Sequence, residues 1–165
     1  MSLRLIVMRH AKSSWKQKGL SDHARPLNKR GTRSAVVLGD WLRAQGYSAA
    51  EGLSSDARRT RQTWEGLALD APAHFLPSLY LAMPEGIEEV LRRHAQARTV
   101  LVLGHNPGIG AFAGALVASP PAHPRFADYP TGATLVADLP VADWSQLKPG
   151  QGRAVDFIVP RDLTG

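Results

Sequence analysis

Two apolar stretches of this sequence end in histidine. "LRLIVMRH", residues 3–10, stops at Arg9 and His10, and "TVLVLGH", residues 99–105, stops at His105. A third stretch, "SSDARRTRQT", carries Arg58, Arg59 and Arg61. An imidazole changes charge near neutral pH and serves as nucleophile or acid–base group. A guanidinium offers a planar fork of donors that fits phosphate oxygens. Two cationic side chains have reason to be chain neighbours, as Arg9 and His10 are, when the intended occupant between them is an anion. The ligand these residue types jointly ask for is a phosphate.

The elements that must position them follow from pattern. Residues 3–9 and 99–104 are short branched apolar runs and read as buried strands. "EGLSS" (51–55) reads as a weaker strand, "AHFLPSLY" as irregular or a short edge strand, and "GATLVADLP" and "AVDFIVP" as two final strands. A helix is expected after Asn28, a suitable N-cap, with Ala35, Leu38, Trp41 and Leu42 at helical spacing and a stop at Gly46. Gly31 in its first turn costs up to ~1 kcal/mol unless a neighbour approaches closely. Asp56 is expected to cap a helix over 57–69, and "PEGIEEVLRRHAQA" (84–97) to form another, acidic at its start and basic at its end as a helix dipole favours. "NPGIGAFAGALV" reads as a turn and a helix of small residues. The loops at 11–27 and 119–130 are long, and long loops often carry function.

This alternation predicts an α/β fold, a three-layer sandwich with a mostly parallel central sheet and helices on both faces. In such sheets ligands bind beyond the carboxyl ends of strands. Adjacent parallel strands would bring His10 and His105 to one crevice, and the helix after residue 55 would add an arginine and its own N-terminus.

At 165 residues the chain fits one domain. It has no cysteine, which excludes disulfides, thiolate metal sites and cysteine nucleophiles. Its histidines lack metal-ligand spacing, so no metal and no cofactor are expected. No apolar run is long enough to span a membrane, and the N-terminal segment meets charge too soon for a secretory signal, so a cytoplasmic location is expected. The net charge of +6 points to an anionic partner. No nucleic-acid signature accompanies it, and the aromatics are not interleaved with the basic runs, so no nucleic-acid partner is expected. Trp15, Trp41 and Trp64 read as core or pocket-wall residues.

"RHAKSSW", "ARPLNKRG", "SSDARRTRQT" and "LVLGHNPG" occur in the order and spacing of the histidine phosphatase superfamily, and the chain resembles its small SixA-type phosphohistidine phosphatases over residues 4 to about 116. The resemblance implies a phosphoglycerate mutase-like fold. It implies His10 as nucleophile, Arg9 and Arg59 as phosphate-binding arginines, and His105 as the second catalytic histidine. Arg25 resembles a loop arginine near the phosphate. With Lys12 and Asn106, which flank the two histidines, it completes the expected substrate-binding set. The implied activity is metal-independent hydrolysis of phosphohistidine through a phosphorylated His10. The implied partner is a phosphorylated protein or small molecule, with phosphate or sulfate able to occupy the site. A broad phosphomonoesterase and a non-catalytic phospho-ligand-binding module are the alternatives.

Two further expectations concern chemistry. Arg9, Arg25 and Arg59 should disfavour protonation of His10. Related enzymes place a carboxylic acid where it can protonate the leaving oxygen, but the corresponding segment, "LPSLYLAMPEG", offers none before Glu85. Asp22, Glu85 and Glu88 remain as candidate donors. A labile P–N bond needs such help less than an alkyl phosphate does, which favours phosphohistidine or an activated aryl phosphate.

Overall fold

Strand β1 (Leu3–Arg9) shows how the sequence builds two cores at once. Successive strand residues face opposite sides of a sheet. Leu3, Leu5 and Val7 pack into one hydrophobic cluster, and Ile6 and Met8 into another. Strand β4 (Thr99–Gly104) repeats this, with Val100 and Val102 on the first side and Leu101 and Leu103 on the second. An apolar run without alternation is therefore a strand buried on both faces.

The computed structural model describes residues 2–164. The remaining strands are β2 (Glu51–Ser55), β3 (Ala73–Leu76), β5 (Thr134–Leu139) and β6 (Arg153–Ile158). They form one sheet in the order β3-β2-β4-β1-β5-β6. The pairs β3–β2, β2–β4 and β4–β1 are parallel, and only β5 runs against the rest. Helices α1 (Lys29–Ala44), α2 (Arg58–Leu67) and the short α5 (Pro160–Thr164) are accompanied by α3 (Pro84–His94) and α4 (Gly108–Leu116). Leu38 and Leu42 of α1 and Leu67 of α2 join the cluster beneath Ile6 and Met8. Ile87 and Leu91 of α3 and Phe112 of α4 join the one beneath Val7. The result is the expected three-layer α/β sandwich with a mostly parallel sheet.

Several local expectations change. Asp56 does not cap α2. Ala57 holds the cap position without a side-chain bond, and Asp56 instead contacts His23 Nε2 at 2.8 Å. Helix α3 ends at His94 rather than Ala97, because Glu51 Oε1 accepts the N–H groups of Gln96 (2.8 Å) and Ala97 (3.1 Å). That buried carboxylate draws the chain out of the helix and into β4, and β2 proves to be a fully buried inner strand. The 11–27 loop is ordered by a Ser13–Leu27 bridge and a short 3₁₀ turn at Asp22–Ala24. The 119–130 loop is anchored by Tyr129, which is fully buried. Its hydroxyl donates to the Val7 carbonyl and accepts from Leu135 N–H at 3.2 Å.

Asn28 caps α1 as expected, accepting Gly31 N–H at 2.8 Å. Gly31 is there because the Lys12 backbone lies against it: a Cβ would sit 2.0 Å from the Lys12 carbonyl oxygen. The same oxygen accepts Asn28 N–H at 3.0 Å, so neither side can retreat freely. Gly31→Ala should therefore destabilise the fold by about 1–3 kcal/mol, although alanine is the better helix former. Urea midpoints of the two proteins measure this, and an unchanged or raised midpoint would contradict the close approach.

Candidate active site

The parallel pairing of β1 with β4 sets Arg9 opposite Gly104. The next residue on each strand is a histidine, and the two imidazoles lie 5.2 Å apart between centroids, tilted by 54°. Next to β4, β2 ends at Ser55, and α2 then brings Arg59 to the same place. The helix spends one face on this task. Arg59 enters the site, Gln62 accepts Leu27 N–H at 2.8 Å, and Thr63 Oγ1 accepts Ala11 N–H at 3.0 Å. Residues i, i+3 and i+4 share a helix face, so "RTRQT" holds both the pocket and the loop that closes it.

One contact sets the tautomer of His10. Its Nδ1 is 2.7 Å from the Ala11 carbonyl oxygen. A carbonyl only accepts, so Nδ1 carries the proton and Nε2 keeps the lone pair. Arg59 Nε–H points at that lone pair from 3.4 Å. The rest of the Arg59 guanidinium is held by Asp22: Nη1 donates to its backbone carbonyl at 2.7 Å and Nη2 to Oδ2 at 3.0 Å. His105 Nε2 is 2.8 Å from Ser55 Oγ. Ser55 Oγ also accepts Ala57 N–H at 3.2 Å.

Among the described residues, two buried side-chain polar atoms lack a protein partner, Arg9 Nε and His105 Nδ1. Both belong to this site. Leaving such an atom unpaired costs about 1–3 kcal/mol, and native structures rarely do so without reason. An oxyanion meets that need. The charge pattern of α2 agrees. Its first turn has no acidic residue and begins Arg58-Arg59, where a helix dipole favours negative charge.

Arg59 is 4% exposed, His10 5% and His105 2%. Burial is the main reason both histidines titrate low, each brought down to about 3. For His10 the Ala11 contact opposes the shift, while His105, Arg59 and Arg9 add to it. For His105 the charge of Arg59 comes next after burial. The expected direction is met with a different leading cause, and Arg25 is not among the leading contributors to His10. Asp22 is tuned the other way. Its partial burial raises its pKa, but hydrogen bonds from Tyr80, Arg59 and Arg25 and the Arg59 charge outweigh that, and the carboxyl sits well below the ordinary range.

His10, Arg9, Arg59 and His105 are thus brought together. Arg58 is exposed, reaching only the Ala24 carbonyl at 3.4 Å. Two residues expected to meet substrate are spent elsewhere. Arg25 donates from Nε to the Ser14 carbonyl at 3.1 Å, from Nη1 to Asp22 Oδ1 at 3.0 Å and from Nη2 to Ser13 Oγ, so it shapes the loop. The Asn106 amide donates to the Tyr129 carbonyl at 3.0 Å and accepts Gly110 N–H at 3.1 Å, so it fixes the turn after His105. Lys12 is exposed, on a crevice that Arg9 also lines. Trp15 is no core residue. It is 75% exposed, and its ring lies 3.3 Å from the Arg25 guanidinium. Trp41 and Trp64 do pack partly into the core. Glu85 and Glu88 line a separate pocket with Phe112 and Leu147.

Sequence reasoning passed over Tyr80 and Ser55. Tyr80 stands edge-on to His105 at 5.4 Å and donates to Asp22 Oδ2. Ser55 was findable, since it ends a strand on the same sheet edge as both histidines. Tyr80 carried no signal of that kind. Among the described residues no group of three or more His, Asp or Glu could hold a metal ion, and no helix is long and apolar enough to cross a membrane.

Such a constellation at the carboxyl edge of a parallel sheet defines an α/β phosphoryl-handling protein. The sequence profile of the "Histidine phosphatase superfamily (branch 1)" matches residues 5–80. An uncharacterized protein of Mycobacterium tuberculosis (strain CDC 1551 / Oshkosh) is 40% identical over 161 residues, covering 93% of this chain and all of its own. An uncharacterized protein of Mycobacterium leprae (strain TN) is 33% identical over 162 residues, with 93% and 100% covered. Among solved structures, a Nakamurella multipartitia protein provisionally assigned as phosphohistidine phosphatase SixA superposes with a TM-score of 0.85 at 28% identity, covering 97% of each chain. A protein with the same provisional assignment from Agrobacterium tumefaciens gives 0.78 at 26% identity, covering 96% of this chain and 98% of its own. The chain belongs to the histidine phosphatase superfamily, and its activity is of the histidine-phosphatase type.

The depressed histidines make a pH prediction. Below pH ~6.5 the unfolded chain protonates these two imidazoles, while the folded chain resists until about 3. Their contribution to stability is complete above ~6.5 and is lost progressively as pH falls towards 3. The imidazole NMR signals of His10 and His105 should stay flat from pH 8 to about 4. The His10→Gln/His105→Gln protein should lose less unfolding free energy than wild type between pH 7 and 4. A titration of either histidine near 6.5 would refute this.

Proposed function

We propose that this protein is a phosphohistidine phosphatase that works through a covalent phosphohistidine on His10. The observation that carries the reading is the state of His10: neutral, with its Nδ1 proton engaged by Ala11 and its Nε2 lone pair facing Arg59. In this reading Nε2 attacks phosphorus in line with the leaving group. Arg9, Arg59 and His105 Nδ1 hold the oxygens whose charge spreads in the transition state. The bond from phosphorus to the leaving atom breaks as the Nε2–P bond forms. Water then attacks the phosphoenzyme, releasing inorganic phosphate and restoring His10. The arginines supply the positive charge, so the step calls for no metal ion.

The preference for phosphohistidine rests on the leaving group. An alkyl oxyanion needs a proton, and a positioned acid is worth about 10²–10⁴-fold. Asp22 is the carboxylate beside Arg59, and its arginine and tyrosine partners keep it ionised. Glu85 and Glu88 line another pocket. A phosphohistidine ring takes a proton from solvent on its far nitrogen and leaves as neutral imidazole, and an activated aryl oxyanion is stable enough to leave as it is, so neither calls for a protein acid. The provisional assignment of the Nakamurella and Agrobacterium neighbours supports the same reading. The substrate is then a phosphorylated protein or small molecule, with phosphate or sulfate as competing occupants.

A substrate panel tests this with wild type, His10→Ala and Arg59→Ala. A phosphohistidine protein and p-nitrophenyl phosphate should exceed simple sugar phosphates in kcat/KM by about 10²-fold or more. Arg59→Ala should lower kcat/KM by about 10²–10³-fold, and His10→Ala should abolish turnover. Undiminished activity in His10→Ala would overturn the mechanism. Equal kcat/KM on sugar phosphates would remove the preference while leaving the nucleophile standing.

A further inference from the structure

Beside the site lies a crevice of about 440 Å³, large enough for a small ligand or a few residues of a peptide. Its charged lining is one-sided: Arg9, Lys12, Arg30, Arg125 and Arg161 against Asp128. The acid is already taken, since Arg125 Nη2 holds Asp128 Oδ2 at 3.0 Å. Arg9, Lys12, Arg30 and Arg161 have no carboxylate partner among the described residues. The cations come from distant parts of the chain, so folding gathers them rather than sequence proximity. Gly31 lets α1 start against Lys12, which sets Arg30 beside it, and α5 brings Arg161. A concave surface with charge of one sign concentrates its field and its counter-ions.

The crevice is joined to the catalytic site. Arg9 lines it and precedes His10, and Lys12 follows two residues later. The Pro130–Thr131 wall is tied to the same strand end, because Gly132 N–H donates to the carbonyls of His10 (2.9 Å) and Arg9 (3.2 Å). An anion held here would be rigidly placed relative to His10.

We propose that this crevice binds a second anionic group, phosphate or clustered carboxylates, carried by the same substrate whose phosphoryl group meets His10. This deepens the phosphatase reading and rests on it. The crevice raises affinity for multiply anionic substrates and takes no part in bond making. Such groups occur on small polyphosphorylated molecules and on acidic peptide segments flanking a phosphoresidue.

The variant that separates these roles is Arg30→Gln/Arg161→Gln, two exposed positions away from His10. Its kcat/KM on p-nitrophenyl phosphate and its inhibition by inorganic phosphate should stay within about twofold of wild type, as exposed single charges contribute little. Wild type should be inhibited by tripolyphosphate at least about tenfold more tightly than by phosphate, or should prefer an acidic phosphohistidine peptide over its Asn/Gln-flanked counterpart by a similar factor. The variant should lose most of that advantage. The arm that responds identifies the small molecule or the peptide as the source. If both arms are unchanged in the variant, or wild type shows no advantage in either, the crevice proposal falls. Equal loss on p-nitrophenyl phosphate also overturns it, since the variant would then act on the reaction itself. If wild type turns over no phosphate ester or phosphohistidine, the phosphatase reading fails instead. Calorimetric titration with tripolyphosphate then still judges the crevice, and equal heats for wild type and variant would reject it.

Discussion

The contact between Arg59 and Asp22 holds this site together. Arg59 is an almost completely buried cation, and a buried charge is tolerable only when paired and hydrogen-bonded. Asp22 supplies both a carboxylate and a backbone carbonyl. It can do so because Arg25 and Tyr80 orient it in turn. Through this pair the 11–27 loop, helix α2 and the turn after β3 are fastened around two imidazoles. The pair leaves Arg59 Nε for His10. A lysine could not bond three groups in this fork, so the residue type is dictated by the geometry.

The histidines depend on a different constraint, strand register. Side chains alternate along a strand, so a slip of β1 by one residue against β4 would turn its side chains to the opposite faces of the sheet. Val7 would leave the layer it shares with Val102, and His10 would no longer stand level with His105. The apolar residues of "LIVM" and "VLVL" thus fix the position of the two histidines, through the cost of misplacing a core. The same register puts Arg9 level with Gly104.

This division explains what the sequence could disclose. Strands and helices whose burial is dictated by periodicity were legible, including both histidine-bearing strand ends, while Arg59 was singled out by the family resemblance of its motif. Asn28 and Gly31 were legible because capping and close approach leave local marks. Asp56, Glu51 and Asn106 were not, because each carboxylate or amide has several backbone suitors and only the tertiary fold selects one. Asp56 went to His23 instead of α2, and Glu51 took two N–H groups that helix α3 would have used. Arg25 shows the same limit. Its place in a phosphate-site motif suggested a ligand contact, whereas the loop itself consumes its donors.

Charge decides the chemistry that remains. The two buried imidazoles resist protonation, and the one carboxylate among them resists neutralisation. These are opposite responses to the same neighbourhood: burial disfavours a charged imidazole, while arginine and tyrosine donors stabilise a carboxylate. A site so arranged keeps a neutral imidazole over a wide pH range and no carboxylic acid in its acid form. In the proposed reaction it holds and attacks a phosphoryl group, yet it offers little to a leaving group that must be protonated. On that proposal, selectivity falls to the leaving group's own stability and to whatever else the substrate carries, which is where Lys12, Arg30 and Arg161 would enter.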